Sequence, residues 1–174
     1  AYIYMHEFNR KTKNLFGDVK LVLKEFAEGP HIYRHGDFYY LLVAEGGTDY
    51  NHREDLFRSK SIWGPYETNP NNPIITSKDN PSLTLQKAGH CSLVETQYGE
   101  WYMPHLVGRP ILPEKKCPLG RETAIQKIEW TADGWFKLVG DNHWPKDSIK
   151  APKNLVQKPF KIVPSKDDFS DTIL

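Results

Sequence analysis

Apolar and aromatic residues fall in short alternating runs, bounded by Gly, Asp and Asn, and no sustained 3.6-residue period appears. This pattern predicts an all-β chain. The runs "AYIYMHEF" and "DVKLVLKEF" flank the polar stretch "NRKTKNLFG" and predict a first hairpin. "PHIYR" and "FYYLLVAE" enclose "HGD", where Gly36 suits a tight turn. "EDLFRSKSIWGPYE" predicts a strand closed by a Gly-Pro turn, and "NPNNPIITSKDNPSLTLQ" a long loop. Two more hairpins are predicted in "HCSLVETQYGEWYMPHLVG", turning at Tyr98-Gly99, and "ETAIQKIEWTADGWFKLVG", turning at Asp133-Gly134. Three units thus share one form: a strand, a Gly-containing turn and an aromatic-led strand. Small repeated antiparallel sheets joined by long loops suit propeller blades better than a sandwich.

Composition narrows the function more than the fold. The chain has 174 residues and a formal net charge of +1, so nothing in the balance calls for nucleic acid or an anionic membrane. No apolar run reaches membrane-spanning length. Cys91 and Cys117 are the only cysteines and form no CxxC pair. The compartment stays open, with the cytoplasm favoured over secretion. Phosphate-binding glycine loops, a GxSxG elbow, zinc-type histidine spacings and basic aromatic RNA motifs are all absent. An aromatic-rich β chain with polar residues at its loop mouths remains, as a carbohydrate site requires.

The stretch "FAEGPHIYRHGDFYYLLVAEGGTDY" places a carboxylate at each end of a hairpin. Glu28, followed by Gly29 and Pro30, would be partly desolvated beside aromatic side chains, and a carboxyl so placed can hold its proton and act as a general acid. A solvated strand-end glutamate is the plain alternative. Glu45 precedes Gly46-Gly47 and is expected to shape a turn that aims Thr48 at a pocket. His90, behind Gly89, reads as hydrogen-bonded structure or as a ligand. Cys91 is expected to be buried in a strand. Arg121 could clamp a hydroxyl through its planar fork or pair with Glu122.

Together "AEGPHIY", "YYLLVAEGGTDY", "SKSIWGPYE", "KAGHCSLVET", "GEWYMPHLVGRP" and "CPLGRETAIQKIEWTADGWFKL" resemble glycoside hydrolase family 43, in its β-xylosidase and α-L-arabinofuranosidase branch, over about residues 1–140. The resemblance implies a five-bladed β-propeller that hydrolyses terminal β-1,4-xylosyl or α-L-arabinofuranosyl residues with inversion, acting on xylo-oligosaccharides or arabinoxylan. It makes Glu28 the general acid and places Thr48, His90 and Arg121 at the substrate. His90 stands in Gly89-His90-Cys91-Ser92, one residue longer than the family's shortest form, and in some members this histidine helps hold calcium through water. No cofactor is otherwise implied.

The family's general base and its pKa-tuning Asp find no counterpart motif, so the chain reads as later blades, truncated at both ends. Residues 1–140 are expected in the propeller, 141–166 in a linker or surface tail, and 167–174 at the start of a C-terminal β-sandwich. Exposed blade edges favour association with the absent blades and C-terminal domain, or with a second copy. A non-catalytic sugar-binding β domain is the alternative function.

Overall fold

The computed structural model describes residues 2–140, 142–156 and 159, and among these every regular element is a strand. β1 (Ile3–Asn9) and β2 (Asn14–Leu23) form an antiparallel hairpin. Its turn is tighter than the polar stretch predicted, and Asn14–Gly17 belong to the strand. The Asn9 side chain explains this: its Oδ1 accepts the Lys11 and Thr12 amides, at 2.9 and 3.1 Å, and closes the turn within a few residues.

The first sheet runs β3 (Glu28–His35), β4 (Phe38–Glu45), β5 (Arg53–Ser59) and then two short segments, β6 (Glu67–Thr68) and β7 (Ile75–Thr76), which pair with opposite ends of β5. The predicted long loop therefore contains a strand. Asn72 stitches it down, its side chain accepting the Leu56 amide and donating to the Leu56 carbonyl, while Ile74 and Ile75 are buried.

In the second sheet, β8 (Gln86–Gly89) and β9 (Val94–Glu95) both pair with β10 (Trp101–Gly108), followed by β11 (Glu122–Trp130) and β12 (Phe136–Leu138). Each sheet is thus a four-position meander in which two short segments share one position. The three repeated units of the sequence are not three blades, because the second and third lie together in this one sheet.

β4 explains how the sheets stack. Tyr40 through Ala44 are all essentially inaccessible, so both faces of this strand are covered and its run is continuously apolar instead of alternating. Tyr40, Leu42 and Leu56 pack with Met103, Val107, Ile128, Trp135 and Phe136 of the second sheet. Leu41, Val43 and Phe57 pack on the other side with Ile3, Val22, Leu23 and Ala27. The sheets lie face to face as neighbouring blades do. A cluster of rings joins them at one end, where His35 stacks on Trp130 at 3.8 Å and Tyr40 meets the same indole edge-on.

Beyond β12, described residues fold back over the second sheet: the Gln126 amide donates to the Lys146 carbonyl and the Lys153 amide to Glu100. Residues 167–174, expected to begin another domain, lie outside the described residues. No helix among the described residues is long and apolar enough to cross a membrane. Because Leu42 is fully enclosed between the sheets, Leu42→Ala should cost about 2–5 kcal/mol of unfolding free energy, read as a lower urea midpoint with unchanged slope.

Candidate active site

The inner position of the second sheet does not run straight. Between β8 and β9 the chain leaves the ladder at His90, whose φ of +55° lies in the left-handed region that a side-chain-bearing residue adopts only at a cost. The amides released by this break find partners elsewhere, as buried backbone must. Cys91 N–H donates to Glu54 Oε2 at 3.0 Å, Ser92 N–H to the Pro104 carbonyl at 3.0 Å, and Leu93 N–H to the Tyr33 hydroxyl at 2.9 Å. Two of the three acceptors, Glu54 and Tyr33, belong to the first sheet.

The break also brings the two predicted motifs together. A Cβ added to Gly29 would stand 2.7 Å from His90 Nε2, so only glycine lets the Glu28-Gly29-Pro30 start of β3 rest on the imidazole. Gly89 is equally confined, its own missing Cβ falling 2.9 Å from both the Arg53 carbonyl oxygen and His52 Nε2. The segment from Gly89 to Cys91 therefore lies directly against His52–Glu54.

His52 is the residue that sequence reasoning missed. It is fully buried, its Nδ1 donates to the Lys87 carbonyl at 2.8 Å, and that bond leaves Nε2 as an acceptor with no partner. Burial holds its pKa below the usual histidine value, and the charges of His90, Glu28 and Arg121 all reach it. Behind it sits His105, also buried, whose Nε2 lies 3.5 Å from the Gln126 amide and whose pKa burial drives down to about 4. The available signal was the run His52-Arg53-Glu54-Asp55 leading into the apolar pair Leu56-Phe57. Charges entering a buried strand need a task or a partner.

Thr48 and Arg121 line an open cavity of about 630 Å³ with Lys87, Leu106, Gly108, Lys115 and Cys117. Arg121 does not pair with Glu122. That carboxylate takes Arg109 instead, its oxygens accepting Nε–H at 3.0 and 3.1 Å, and among the described residues Arg121 makes no ion pair. Its guanidinium is exposed at the cavity and free to meet a ligand. Glu45 takes Arg53 at 2.5 Å, and Arg53 also binds Asp55 at 2.9 Å, so Glu45 closes the turn carrying Thr48 and does not face the cavity.

One expectation fails. Glu28 is exposed, and the aromatic shielding anticipated for its carboxyl is not supplied, because β3 is the outermost strand of its sheet and neighbouring Phe26 points into solvent, 83% exposed. For calcium at His90, the described residues hold no group of three His, Cys, Asp or Glu side chains able to cage a metal ion. Cys91 is buried, but in the break between β8 and β9 and not in a strand as expected, and both cysteines are free.

The sequence profile of glycosyl hydrolases family 43 matches residues 1–136. The chain belongs to that family. A β-xylosidase of Bacillus subtilis is 41% identical over 99% of this chain, and a non-reducing end α-L-arabinofuranosidase of Bacteroides ovatus is 43% identical over 84%. The crystal structure of a xylan β-1,4-xylosidase from Bacillus halodurans superposes over 100% of the chain, with a TM-score of 0.94 and 50% identity. This family 43 chain is all-β and part of a five-bladed β-propeller. It spans about a third of its relatives' length: 34% of the B. subtilis protein, 27% of the B. ovatus protein and 34% of the B. halodurans chain.

The buried histidines give the site an acid limit. His105 is neutral in the folded state and has its ordinary pKa of 6.5 when unfolded, so the unfolded chain binds the extra proton. Stability should be complete above pH 6.5 and fall as pH drops towards about 4, by on the order of 3 kcal/mol. Urea unfolding across that range should show the loss, and His105→Gln should flatten it.

Proposed function

We propose that this chain supplies the acid side of an inverting glycoside hydrolase that removes terminal β-1,4-xylosyl or α-L-arabinofuranosyl residues from hemicellulose oligosaccharides. Glu28 is the general acid that protonates the leaving oxygen. Arg121 and Thr48 hold the terminal sugar through its hydroxyls, Arg121 with its planar fork of donors, and His90 lies beneath the strand start that presents the acid. The observation that carries this reading is the approach of Gly29 to the His90 imidazole, which joins two motifs far apart in sequence into one surface.

Inversion needs a second carboxylate, roughly 6.5–9.5 Å from the first, to activate water on the opposite face of the sugar. That base, and the Asp that tunes the acid, come from segments outside this chain. The blades that carry them also supply the shielding that Glu28 lacks here, since a carboxyl covered by apolar surface keeps its proton nearer neutral pH. The chain's natural partners are therefore the remaining blades and the C-terminal domain. No step is assigned to calcium.

Two outcomes follow. The 174-residue chain alone should show no turnover of xylo-oligosaccharides or aryl xylosides, because one carboxylate cannot serve as both acid and base. In the assembled enzyme, Glu28→Gln should slow xylobiose by about 10²–10⁴-fold and 2,4-dinitrophenyl xyloside by far less, since that phenolate departs without a proton. Equal slowing of both substrates would remove Glu28 from the acid role.

A further inference from the structure

One buried carboxyl has no part in the reaction above. Glu54 is wholly inaccessible near the start of β5, paired with Ala44 on one side and Ile75 on the other. Along β5 its side chain shares a face with His52 and Leu56, and that face looks onto the second sheet. Oε2 accepts the Cys91 amide at 3.0 Å, and Oε1 has no partner. An apolar residue of similar volume would fill this place more cheaply. The carboxyl is therefore kept for its acceptor.

That acceptor sits at the residue after the left-handed His90. With Cys91 N–H tied to Glu54, the peptide joining His90 to Cys91 is fixed, and so is the direction in which the His90 ring leaves the backbone. The ring rests on Gly29, next to Glu28. A closed path thus runs from β5 of the first sheet to the break in the second sheet and back to β3 of the first.

We propose that Glu54 is a positioning residue: by holding the Cys91 amide it keeps the His90 imidazole against Gly29, and so fixes the backbone that presents Glu28. The functional value of this placement rests on the reading of Glu28 as the acid.

The test reads the path directly, in two-dimensional amide spectra and hydrogen exchange of the 174-residue chain, and needs no substrate. Glu54→Gln keeps a carbonyl acceptor, and its Cys91 exchange rate and its Gly29 and His90 resonances should match the parent. Glu54→Leu keeps the volume without the acceptor. It should raise Cys91 exchange by about tenfold or more relative to the Leu42 amide and move the Gly29 and His90 signals.

A folded Glu54→Leu chain with parental Cys91 exchange and Gly29 shifts would overturn the proposal. If Glu54→Leu does not fold, Gly29→Ala decides from the other end, since its Cβ would press on His90. It should shift the Cys91 amide, and an unmoved Cys91 amide would equally overturn the proposal. In the assembled enzyme, Glu54→Leu should lower kcat on xylobiose more than on the dinitrophenyl xyloside, with Gln restoring it. Failure of the acid reading would show instead as equal slowing of both substrates by Glu28→Gln, with the amide readouts intact.

Discussion

The left-handed turn at His90 is the constraint on which the rest of this structure depends. An inner strand that ran straight from Gln86 to Glu95 would satisfy its amides within its own sheet and would need nothing from its neighbour. Because it breaks, Cys91 and Leu93 must find acceptors across the blade interface, and Glu54 and Tyr33 supply them. The break therefore fixes the two sheets relative to each other with directional bonds, where apolar packing alone would allow sliding.

The interface divides along its length according to this demand. At one end Tyr40, Trp130, Trp135 and Phe136 meet as rings, and the Arg58 guanidinium lies 4.0 Å over Trp135. At the other end His52, Glu54, His105 and Gln126 are buried together as polar groups. Burial of that kind is costly in a small β chain and persists only where it is compensated. Here that polar end lies against the segment of His90, which meets Gly29 beside Glu28, so the expensive end of the interface is also the end proposed for the chemistry. The aromatic end contributes the stability that the polar end lacks.

Family membership and geometry bear on different questions. The matches with a β-xylosidase, an α-L-arabinofuranosidase and the B. halodurans xylosidase structure fix the fold and the family. They leave open what each side chain does in a chain that spans a third of those proteins. Exposed Glu28 makes the point physically. A carboxyl proposed to hold its proton needs covering surface, and the chain, which spans about a third of its relatives' length, leaves Glu28 uncovered.

The sequence by itself determined most of the strands and the hairpin turns at Gly36, Gly99 and Gly134, because each is written in local alternation or turn chemistry, and its resemblance to family 43 named Glu28, Thr48, His90 and Arg121 as candidate site residues. It also separated Glu45 from Glu28, and Arg53 is the partner that keeps Glu45 out of the cavity. Only the tertiary structure decided that the second and third repeats share one sheet, that a strand lies inside the predicted long loop, and that Arg109 takes Glu122 and leaves Arg121 exposed. It alone drew His52 and Glu54 into the site. Their meaning comes from what the neighbouring sheet presents to them, and pairings between residues tens of positions apart leave no periodic trace along the chain.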